Sequence, residues 1–352
     1  MSTLTIRIGT RGSQLALWQA NHVAAQLRAH GHAAAIEVIR TSGDRLQDPA
    51  VAAQEGLSPN GTGIFIKEIE EALAAGRIDL AVHSLKDLPT EISPRFTLAA
   101  IPARADARDA FVCENFWGLH MLPFGSRIGT TSPRRRSMLL ALRPDLQFVE
   151  LRGNVDTRLR KWESGACDAL ILASAGLDRL EHTEHVHQRF SVDEITPAPG
   201  QGALALETRK PGPASAAALN EVALKGMGFS PSIDPENMEG ALAPEDSIAR
   251  DQAIYAAVRA LNDPDTEYAV SAERSVLHAL GSGCQLPFGA FAHRVDDHWH
   301  LHALVVSLDG EQAAHVLHKA PLHTPASELG SLVADELIAR GAMELLETVE
   351  AS

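Results

Sequence analysis

LTIRIGTRGSQLALWQANHVAAQLRAHGHAAAIEVIRT, the stretch Leu4–Thr41, places a helix-forming run between two short strand-forming runs. The first strand is predicted at Leu4–Thr10 and the second at Ala34–Thr41. Between them, Ser13 is the predicted N-cap of a helix that stops at Gly31. A helix that connects two consecutive strands allows them to pair in parallel. The stretch therefore predicts an α/β fold with a mainly parallel sheet that is covered on both faces.

The same alternation of strands and helices continues beyond this stretch. It gives way, in the C-terminal part of the chain, to three longer strand patterns flanked by helical patterns, which is typical of an α+β domain. Further strands are predicted at 78–84, 109–114, 127–131, 146–151, 168–173, 203–208, 287–295, 298–307 and 313–319. Further helices are predicted at 65–77, 133–143, 154–165, 174–180, 272–280 and 327–347.

Two proline-containing segments, 101–108 and 196–202, are the predicted crossings between two α/β lobes. The first lobe also contains a long Gly- and Pro-rich loop at 42–63, of a length typical of functional loops. The predicted division is lobe 1 at 1–102 and 201–212, lobe 2 at 103–200, an inserted surface segment of weak periodicity at 213–250, and a C-terminal α+β domain at 251–352.

The composition excludes several classes of function. A formal net charge of −14 disfavours nonspecific binding to nucleic acid. No run approaches the roughly 20 apolar residues of a membrane span, and the N-terminus has no basic-then-apolar targeting segment. The three cysteines contain no CxxC pair and do not form the pattern of a disulfide framework. We therefore expect a cytoplasmic protein without a nucleic-acid or membrane partner.

Positive charge is nevertheless concentrated at the ends of predicted strands. Residues 127–161 contain nine Arg and Lys against three Asp and Glu. Hydroxyl groups at a helix N-terminus favour anions, and guanidinium groups match carboxylates. An arginine is most often on a solvated helix face, but three strand ends repeat the arrangement, which favours a ligand with several carboxylates. The residues concerned are Arg11 and Ser13, then Thr130, Ser132, Arg134 and Arg135, and finally Arg152 and Arg158.

The stretch AVHSLKDLPT places Ser84, Lys86 and Asp87 directly after a predicted buried strand. Ligands gather at this edge of open α/β sheets. A lysine beside an aspartate can hold an anion while the carboxylate handles a cation or a proton. The alternative is an ordinary turn in which Asp87 is solvated before Pro89.

The third candidate is Cys284, in the glycine-rich stretch LHALGSGCQLPFGA. Glycines permit a turn that projects a side chain into a cleft, and a thiolate is a strong nucleophile. The alternative is a small thiol without a chemical role.

Two histidine groups, His182, His185 and His187, and His298, His300 and His302, have the residue type that binds metals. No cysteine or carboxylate set completes either group in the sequence, so we predict no metal site. The paired glycines of NGTGIF and PGQGAL lack the spacing of a phosphate-binding loop.

Together these stretches resemble the porphobilinogen deaminase family. The matching stretches occur in family order and cover nearly the whole chain outside the inserted segment. They are IGTRGSQLALWQA, GTGIFIKEIEEAL, DLAVHSLKDLPT, IGTTSPRRR, LRGNVDTRL, DALILASAGLDRL, PAPGQGALALE and AERSVLHALGSGCQLPFGAFA.

The resemblance implies two lobes like those of periplasmic binding proteins, followed by an α+β domain that carries the cysteine. It implies that Cys284 forms a thioether to a dipyrromethane cofactor, onto which four porphobilinogens are added with loss of ammonia. Asp87 would be the catalytic carboxylate. The other residues implied to line the cleft are Arg11, Ser13, Ser84, Lys86, Thr130, Ser132, Arg134, Arg135, Arg152, Arg158, Arg179 and Gln201. A monomer is implied.

The chain departs from the family pattern at Thr62, where many relatives have lysine, and at Ser282, where glycine is common. Two other classes of function remain open from the residues alone. A two-lobed binding protein for an organic anion would explain the arginines, and an ordinary transferase would use Cys284 transiently. Both predict a bare thiol, whereas the resemblance implies a stable adduct.

Overall fold

The computed structural model describes residues 4–40, 66–212, 244–281 and 286–350. Its strands are β1 Thr5–Thr10, β2 Ala33–Val38, β3 Leu80–Ser84, β4 Phe96–Ala100, β5 Asp109–Val112, β6 Arg127–Gly129, β7 Gln147–Val149, β8 Ala169–Ala173, β9 Val186–Arg189, β10 Leu204–Arg209, β11 Phe288–Val295, β12 His298–Val306 and β13 Ala313–Pro321. Its helices are α1 Gln14–Ala29, α2 Lys67–Ala74, α3 Pro133–Leu142, α4 Val155–Glu163, α5 Ser174–Arg179, α6 Pro244–Arg259, α7 Pro264–Ala279, α8 Ala326–Ala339 and α9 Ala342–Glu350.

The chain divides into two compact units. Unit 1 is drawn from Met1–His83, Glu91–Pro102 and Ala205–Asn262, and unit 2 from Ser84–Thr90, Ala103–Leu204 and Asp263–Ser352. Within the described ranges, no helix is long and apolar enough to cross a membrane.

The sheet of unit 1 has the strand order β2-β1-β3-β10-β4. β1 is parallel to β2, as the opening stretch predicts, and is also parallel to β3. Strand β10 lies beside β4 and is antiparallel to it, which confirms the prediction that 203–208 returns to this sheet. β4 is absent from the predicted strands because its sequence, FTLAA, is short and lacks a β-branched run.

Helix α1 covers one face of this sheet because its apolar residues are periodic, and Val23, Ala24 and Leu27 are fully buried. The Ser13 side chain accepts a hydrogen bond from the amide of Ala16, as predicted for an N-cap. The helix ends before Gly31, which has φ +85°, a conformation that favours glycine.

The first sheet of unit 2 has the order β7-β6-β8-β5-β9. β6 is parallel to β7 and β8, whereas β5 is antiparallel to β8 and β9. Phe111, Ile128 and Ile171 are fully buried in its core. β9 was not predicted because its sequence, VHQR, is polar; all four residues are only partly buried at the edge of the sheet.

The second sheet of unit 2 is antiparallel, with the order β11-β12-β13. Helices α7 and α8 pack on its apolar face, where Ala272, Leu301 and Val333 belong to one core. The predicted helical run 327–347 is divided into α8 and α9 at Gly341, whose φ is +85°. The molecule is therefore an α/β protein with mixed sheets and a C-terminal α+β part, as expected.

One predicted boundary falls inside a helix. Helix α6 spans residue 250, which the sequence analysis gave as the end of the inserted segment, and it belongs to unit 1. Its Asp251 is bound by the buried guanidinium of Arg209 on β10, with a closest contact of 2.6 Å. This ion pair attaches α6 to the sheet, so the part of the chain grouped with the C-terminal sheet begins at Asp263. The rest of the inserted segment, 213–243, lies outside the described residues.

Candidate functional site

The predicted lysine and aspartate lie on a short 3-10 turn, Leu85–Asp87, that follows β3. Leu85 is fully buried and anchors the turn, because its amide donates to the carbonyl of Ala203 at 3.1 Å. Asp87 is exposed, so its carboxylate is open to a ligand. Lys86 Nζ donates to Oε1 of Gln201 at 3.3 Å. Two residues that are distant in the sequence are thus brought together.

Arg134 and Arg135 are buried in the first turn of helix α3. Ser132 caps this helix by accepting a hydrogen bond from the amide of Arg135 at 3.4 Å. The hydroxyl of Thr130 accepts from the amide of Ser132 at 3.1 Å. The local fold therefore uses both predicted hydroxyl groups to direct the helix and its two arginines, with Pro133 at the first helical position.

A residue that the sequence analysis did not identify stands between these arginines. Asp109, at the start of β5, is fully buried, and its Oδ2 is 2.7 Å from Nη1 of Arg134. Its Oδ1 accepts from Nη2 of Arg135 at 2.7 Å and from Nε2 of Gln201 at 3.0 Å. An acid that opens the otherwise apolar strand DAFV was the available signal, because a buried carboxylate needs a partner.

The cluster around Asp109 contains more positive than negative charge. Burial and the neighbouring Arg135 lower the pKa of Lys86 to about 8, although Asp87 and Asp109 oppose this. Burial also lowers the pKa of Arg134. Cations whose pKa values are lowered in this way gain stability from an added anion. The cluster is therefore suited to a ligand with several carboxylates.

Arg158 extends this positive region from helix α4, which Asn154 caps by accepting from the amide of Thr157 at 2.9 Å. Burial and the nearby Arg135 lower the pKa of Arg158 to about 10. Its Nε is buried and makes no hydrogen bond within the described part of the chain. A buried donor without an acceptor is costly, which points to a ligand at this position.

Arg179 and the glycine loop around Gln201 are also held in place. Arg179 Nη2 donates to the carbonyl of Gly202 at 2.8 Å, and burial lowers the pKa of Arg179 to about 10. The amide of Gly200 donates at 2.7 Å to Glu273, a fully buried carboxylate that also binds Arg104. Glu273 and Arg104 are positioning residues that the sequence analysis missed, because they lie far apart in the chain.

The remaining predicted residues are placed differently. Arg152 is exposed and pairs with Glu150 at 3.3 Å, so it does not join the buried cluster. Ser84 is partly buried at the end of β3. Arg11, which is partly buried, and Ser13, whose hydroxyl caps α1, belong to unit 1. Cys284, Ser282, Thr62 and the loop 42–63 lie outside the described residues.

Two of the predicted histidines lie close to carboxylates. His182 Nε2 is 3.2 Å from Asp156, and His302 Nδ1 is 3.1 Å from Asp193. In the ranges that the structure describes, no group of three or more His, Cys, Asp or Glu residues is arranged to hold a metal ion.

Comparisons with known proteins agree with the resemblance. The family described as "Porphobilinogen deaminase, dipyromethane cofactor binding domain" matches residues 6–216, and "Porphobilinogen deaminase, C-terminal domain" matches residues 267–339. Proteins named porphobilinogen deaminase are similar over nearly the whole chain. The one from Syntrophobacter fumaroxidans is 39% identical and covers 99% of both chains. The one from Rubrobacter xylanophilus is 41% identical over 96% of this chain and 95% of that protein.

Solved structures with some likeness include two methionine-binding proteins. The methionine-binding protein MetQ is 11% identical, with a TM-score of 0.39 over 63% of this chain and 94% of that chain. A putative methionine-binding lipoprotein from Bacillus subtilis is 12% identical, with a TM-score of 0.36 over 64% of this chain and 91% of that chain. The α/β class of this chain rests on its own strand order and not on these low scores.

Proposed function

Because the chain belongs to the porphobilinogen deaminase family, we propose that it joins four porphobilinogens head to tail onto a covalently held dipyrromethane primer. Each addition breaks the carbon–nitrogen bond of one protonated aminomethyl group and the carbon–hydrogen bond of the accepting α-carbon. It forms one carbon–carbon bond and releases one ammonia and one proton. Water then frees the linear product, hydroxymethylbilane. The enzyme is a transferase of tetrapyrrole and haem biosynthesis. We further propose that it acts as a cytoplasmic monomer.

One observation carries this proposal: an exposed carboxylate stands beside a buried cluster of cations. Asp87 and Lys86 are consecutive on one turn, and Lys86 is joined through Gln201 to the cluster around Asp109. Each pyrrole of the substrate carries an acetate and a propionate, so a growing chain accumulates negative charge. A site for it needs an excess of guanidinium and ammonium groups, and the reacting centre needs a carboxylate.

The described residues fit the dipyrromethane cofactor. The buried Arg158 Nε makes no hydrogen bond in the described ranges, and the surrounding donors are cationic groups that suit the cofactor's carboxylates. Arg134, Arg135 and Lys86 would hold these carboxylates, with Ser84, Thr130, Ser132, Arg158 and Gln201 around them. Cys284 would supply the sulfur of the thioether. When bound, the cofactor supplies the free α-carbon that accepts the first porphobilinogen.

Asp87 would stabilise the positive charge that develops when the substrate loses ammonia. The aminomethyl carbon of porphobilinogen is left cationic, and its charge is shared with the pyrrole nitrogen. A carboxylate close to the pyrrole N–H stabilises this cation without forming a bond to it. The same carboxylate would receive the proton lost after the carbon–carbon bond forms. The exposure of Asp87 leaves room for a pyrrole beside it.

Arg11, Ser13, Arg152 and Arg179 are each proposed to bind a side-chain carboxylate of the substrate. Burial lowers the pKa of Arg179, so an anion beside it gains more than one beside a solvated arginine. Arg152 is exposed and, among the residues that the structure describes, pairs with the exposed Glu150, which a substrate carboxylate can displace at little cost. The domain division proposed from the sequence assigns the cofactor cysteine to the C-terminal part.

The mass of the intact purified protein tests this function. We expect the chain to carry the added mass of two pyrrole units, and to gain further pyrrole units when porphobilinogen is supplied. A pyrrole-detecting aldehyde reagent should colour the protein, and ammonia should be released. An unmodified chain that releases no ammonia after incubation with porphobilinogen would contradict the proposal.

Serine variants of the cysteines locate the attachment. Cys284→Ser should lose the adduct and the activity, whereas Cys113→Ser is the matched control, because Cys113 is buried and its thiol donates to the carbonyl of Asp168. An anion-binding protein would bind porphobilinogen reversibly and release no ammonia. A transferase with a transient cysteine intermediate would show the adduct only during turnover.

A further inference from the structure

Asp109 contacts three side chains of the candidate site, those of Arg134, Arg135 and Gln201. Its Oδ1 accepts from Nε of Arg135 at 3.0 Å, from Nη2 of Arg135 at 2.7 Å and from Nε2 of Gln201 at 3.0 Å. Its Oδ2 is 2.7 Å from Nη1 of Arg134. One buried carboxylate thus fixes three side chains that come from helix α3 and from the glycine loop.

Arg134 and Arg135 each make a further hydrogen bond to a backbone carbonyl, which fixes the orientation of the side chain. Nη1 of Arg134 also donates to the carbonyl of Thr196 at 2.7 Å, and Nη1 of Arg135 donates to the carbonyl of Ile171 at 3.0 Å. These bonds occupy Nη1 of Arg134 and leave its Nη2 group for a ligand, as far as the described residues show. A fixed guanidinium of this kind loses little side-chain entropy when it binds a carboxylate.

The two buried arginines need the negative charge of the Asp109 carboxylate beside them. Two adjacent buried guanidiniums repel each other, and their charges are costly to bury without a counter-charge. Burial alone would raise the pKa of Asp109, but Arg134 and Arg135 lower it well below its usual range, so the group stays ionised. Asp109 has no exposed surface and therefore does not present its own carboxylate to solvent or substrate.

We propose that Asp109 is a positioning residue: it orients the Arg134 and Arg135 guanidiniums towards the carboxylates of the bound oligopyrrole and touches no substrate itself. This role rests on the proposed function. A purely structural role would make Asp109 important for folding and leave the folded enzyme's affinity and pH dependence unchanged. The two roles therefore differ in measurable ways.

Asp109→Asn separates them, with Asp106→Asn as the matched control. Asp106 also pairs with two arginines, Arg108 at 2.8 Å and Arg189 at 3.2 Å, but it is partly exposed and lies outside the cluster. The experiment measures pyrrole units per chain by intact mass, the KM and kcat for porphobilinogen, and the pH profile of kcat/KM. Asp109→Asn should raise KM or lower cofactor content by about 10- to 100-fold, since hydrogen bonds to charged groups are lost.

A purely structural role of Asp109 would not change the pH profile of kcat/KM, so this profile distinguishes the two roles. Lys86 faces Arg134, Arg135, Asp87 and Asp109, and the negative charge of Asp109 raises its pKa. Asp109→Asn removes that charge, so the alkaline limb of the profile should move to lower pH. Asp106→Asn should leave the profile in place.

Asp109→Glu keeps the experiment informative if the asparagine variant does not fold. Glutamate restores the charge at a changed distance, so the profile should return towards that of the wild type while KM stays partly raised. An Asp109→Asn enzyme with normal cofactor content, KM and pH profile, and with only its unfolding temperature changed, would overturn the proposal. If the wild-type chain itself carries no pyrrole units, the proposed function fails instead, so the two failures are distinct.

Discussion

Asp79 of unit 1 and Asp109 of unit 2 are both fully buried, and each pairs with more than one arginine. Asp79 is 2.8 Å from Arg7, 2.9 Å from Arg250 and 3.3 Å from Arg209. In both units the acid lies at or just before the beginning of a strand, β3 in one and β5 in the other. The two clusters resemble each other in chemistry and in place.

They differ in how the positive charge is balanced. In unit 1, Arg209 also pairs with a second acid, Asp251, and donates to the carbonyls of Leu73 at 2.9 Å and Ile78 at 2.7 Å. In unit 2, Asp109 alone faces two arginines in direct contact, and Lys86 is close enough for their charges to lower its pKa. Among the described residues, three arginines face two acids in the first cluster, whereas two arginines and Lys86 face one fully buried acid in the second, which therefore retains more positive charge for an anion. A buried Arg–Asp cluster thus points to a binding site more strongly as the excess of its cations over its acids grows.

The largest expected effect comes from removing one arginine of each cluster. Arg135→Ala and Arg209→Ala each leave a buried carboxylate with fewer partners, which costs about 3–5 kcal/mol of folding free energy. Only Arg135→Ala should also reduce the pyrrole units carried per folded chain. Urea unfolding measures the first effect, and the intact mass of the soluble fraction measures the second. Equal loss of cofactor in both variants would remove the distinction between the clusters.

Asp87→Asn should have the next largest effect, on turnover and not on stability. Its side chain is exposed, so the unfolding temperature should stay within a few degrees. Loss of the charge that stabilises the substrate cation should reduce kcat by about 10²–10³-fold. Ammonia release under saturating porphobilinogen measures this.

The control is Glu91→Gln, which removes another exposed carboxylate four residues along the chain. It should retain normal turnover. If Asp87→Asn turns over at nearly the wild-type rate, the charge of Asp87 is not used in the reaction, and the exposed acid of unit 2 is no different from other surface carboxylates.

The sequence predicted the parts of this comparison that depend on local pattern. Ser132, Pro133 and the following arginines lie in one short stretch, so the capped helix and its cations were predictable. Asp109 and Gln201 were different, because they meet through a hydrogen bond between residues 92 positions apart, which no local pattern contains. The same holds for Glu273, whose partners Arg104 and Gly200 lie on other segments. Buried polar partners are chosen by the tertiary fold, and the sequence shows only that such a residue interrupts an apolar run.

A rise in pH is expected to have two smaller effects of opposite sign, one on the stability of the protein and one on its affinity for a carboxylate ligand. The pKa of Lys86 is lowered to about 8 in the folded chain from 10.5, so between these values the unfolded chain binds more protons. Through this group, stability therefore rises as the pH rises from about 8 towards 10.5, and the burial penalty is fully present below pH 8. The affinity for a carboxylate ligand falls over the same interval, because the ammonium loses its charge.

Urea unfolding and KM measured between pH 7 and roughly 10 test both trends. Lys86→Met should flatten both, while Lys210→Met, a substitution at an exposed lysine of unit 1, should not. A KM that stays constant through this interval in the wild type would show that the Lys86 charge does not contribute to binding.

The smallest expected effects come from the caps of one helix in each unit. Asn154→Ala and Ser13→Ala each remove a side chain that accepts from a first-turn amide, at 2.9 Å and 3.4 Å, and each should cost about 1 kcal/mol or less. Because the hydrogen bond to Ser13 is the longer of the two, Ser13→Ala should cost less stability than Asn154→Ala. Asn154 caps the helix that carries Arg158, so Asn154→Ala should also raise KM several-fold. Ser13→Ala should raise KM as well, because the Ser13 hydroxyl is proposed to bind a substrate carboxylate. A KM that stays at the wild-type value would show that this hydroxyl only caps the helix, contrary to what its place in the family motif implies.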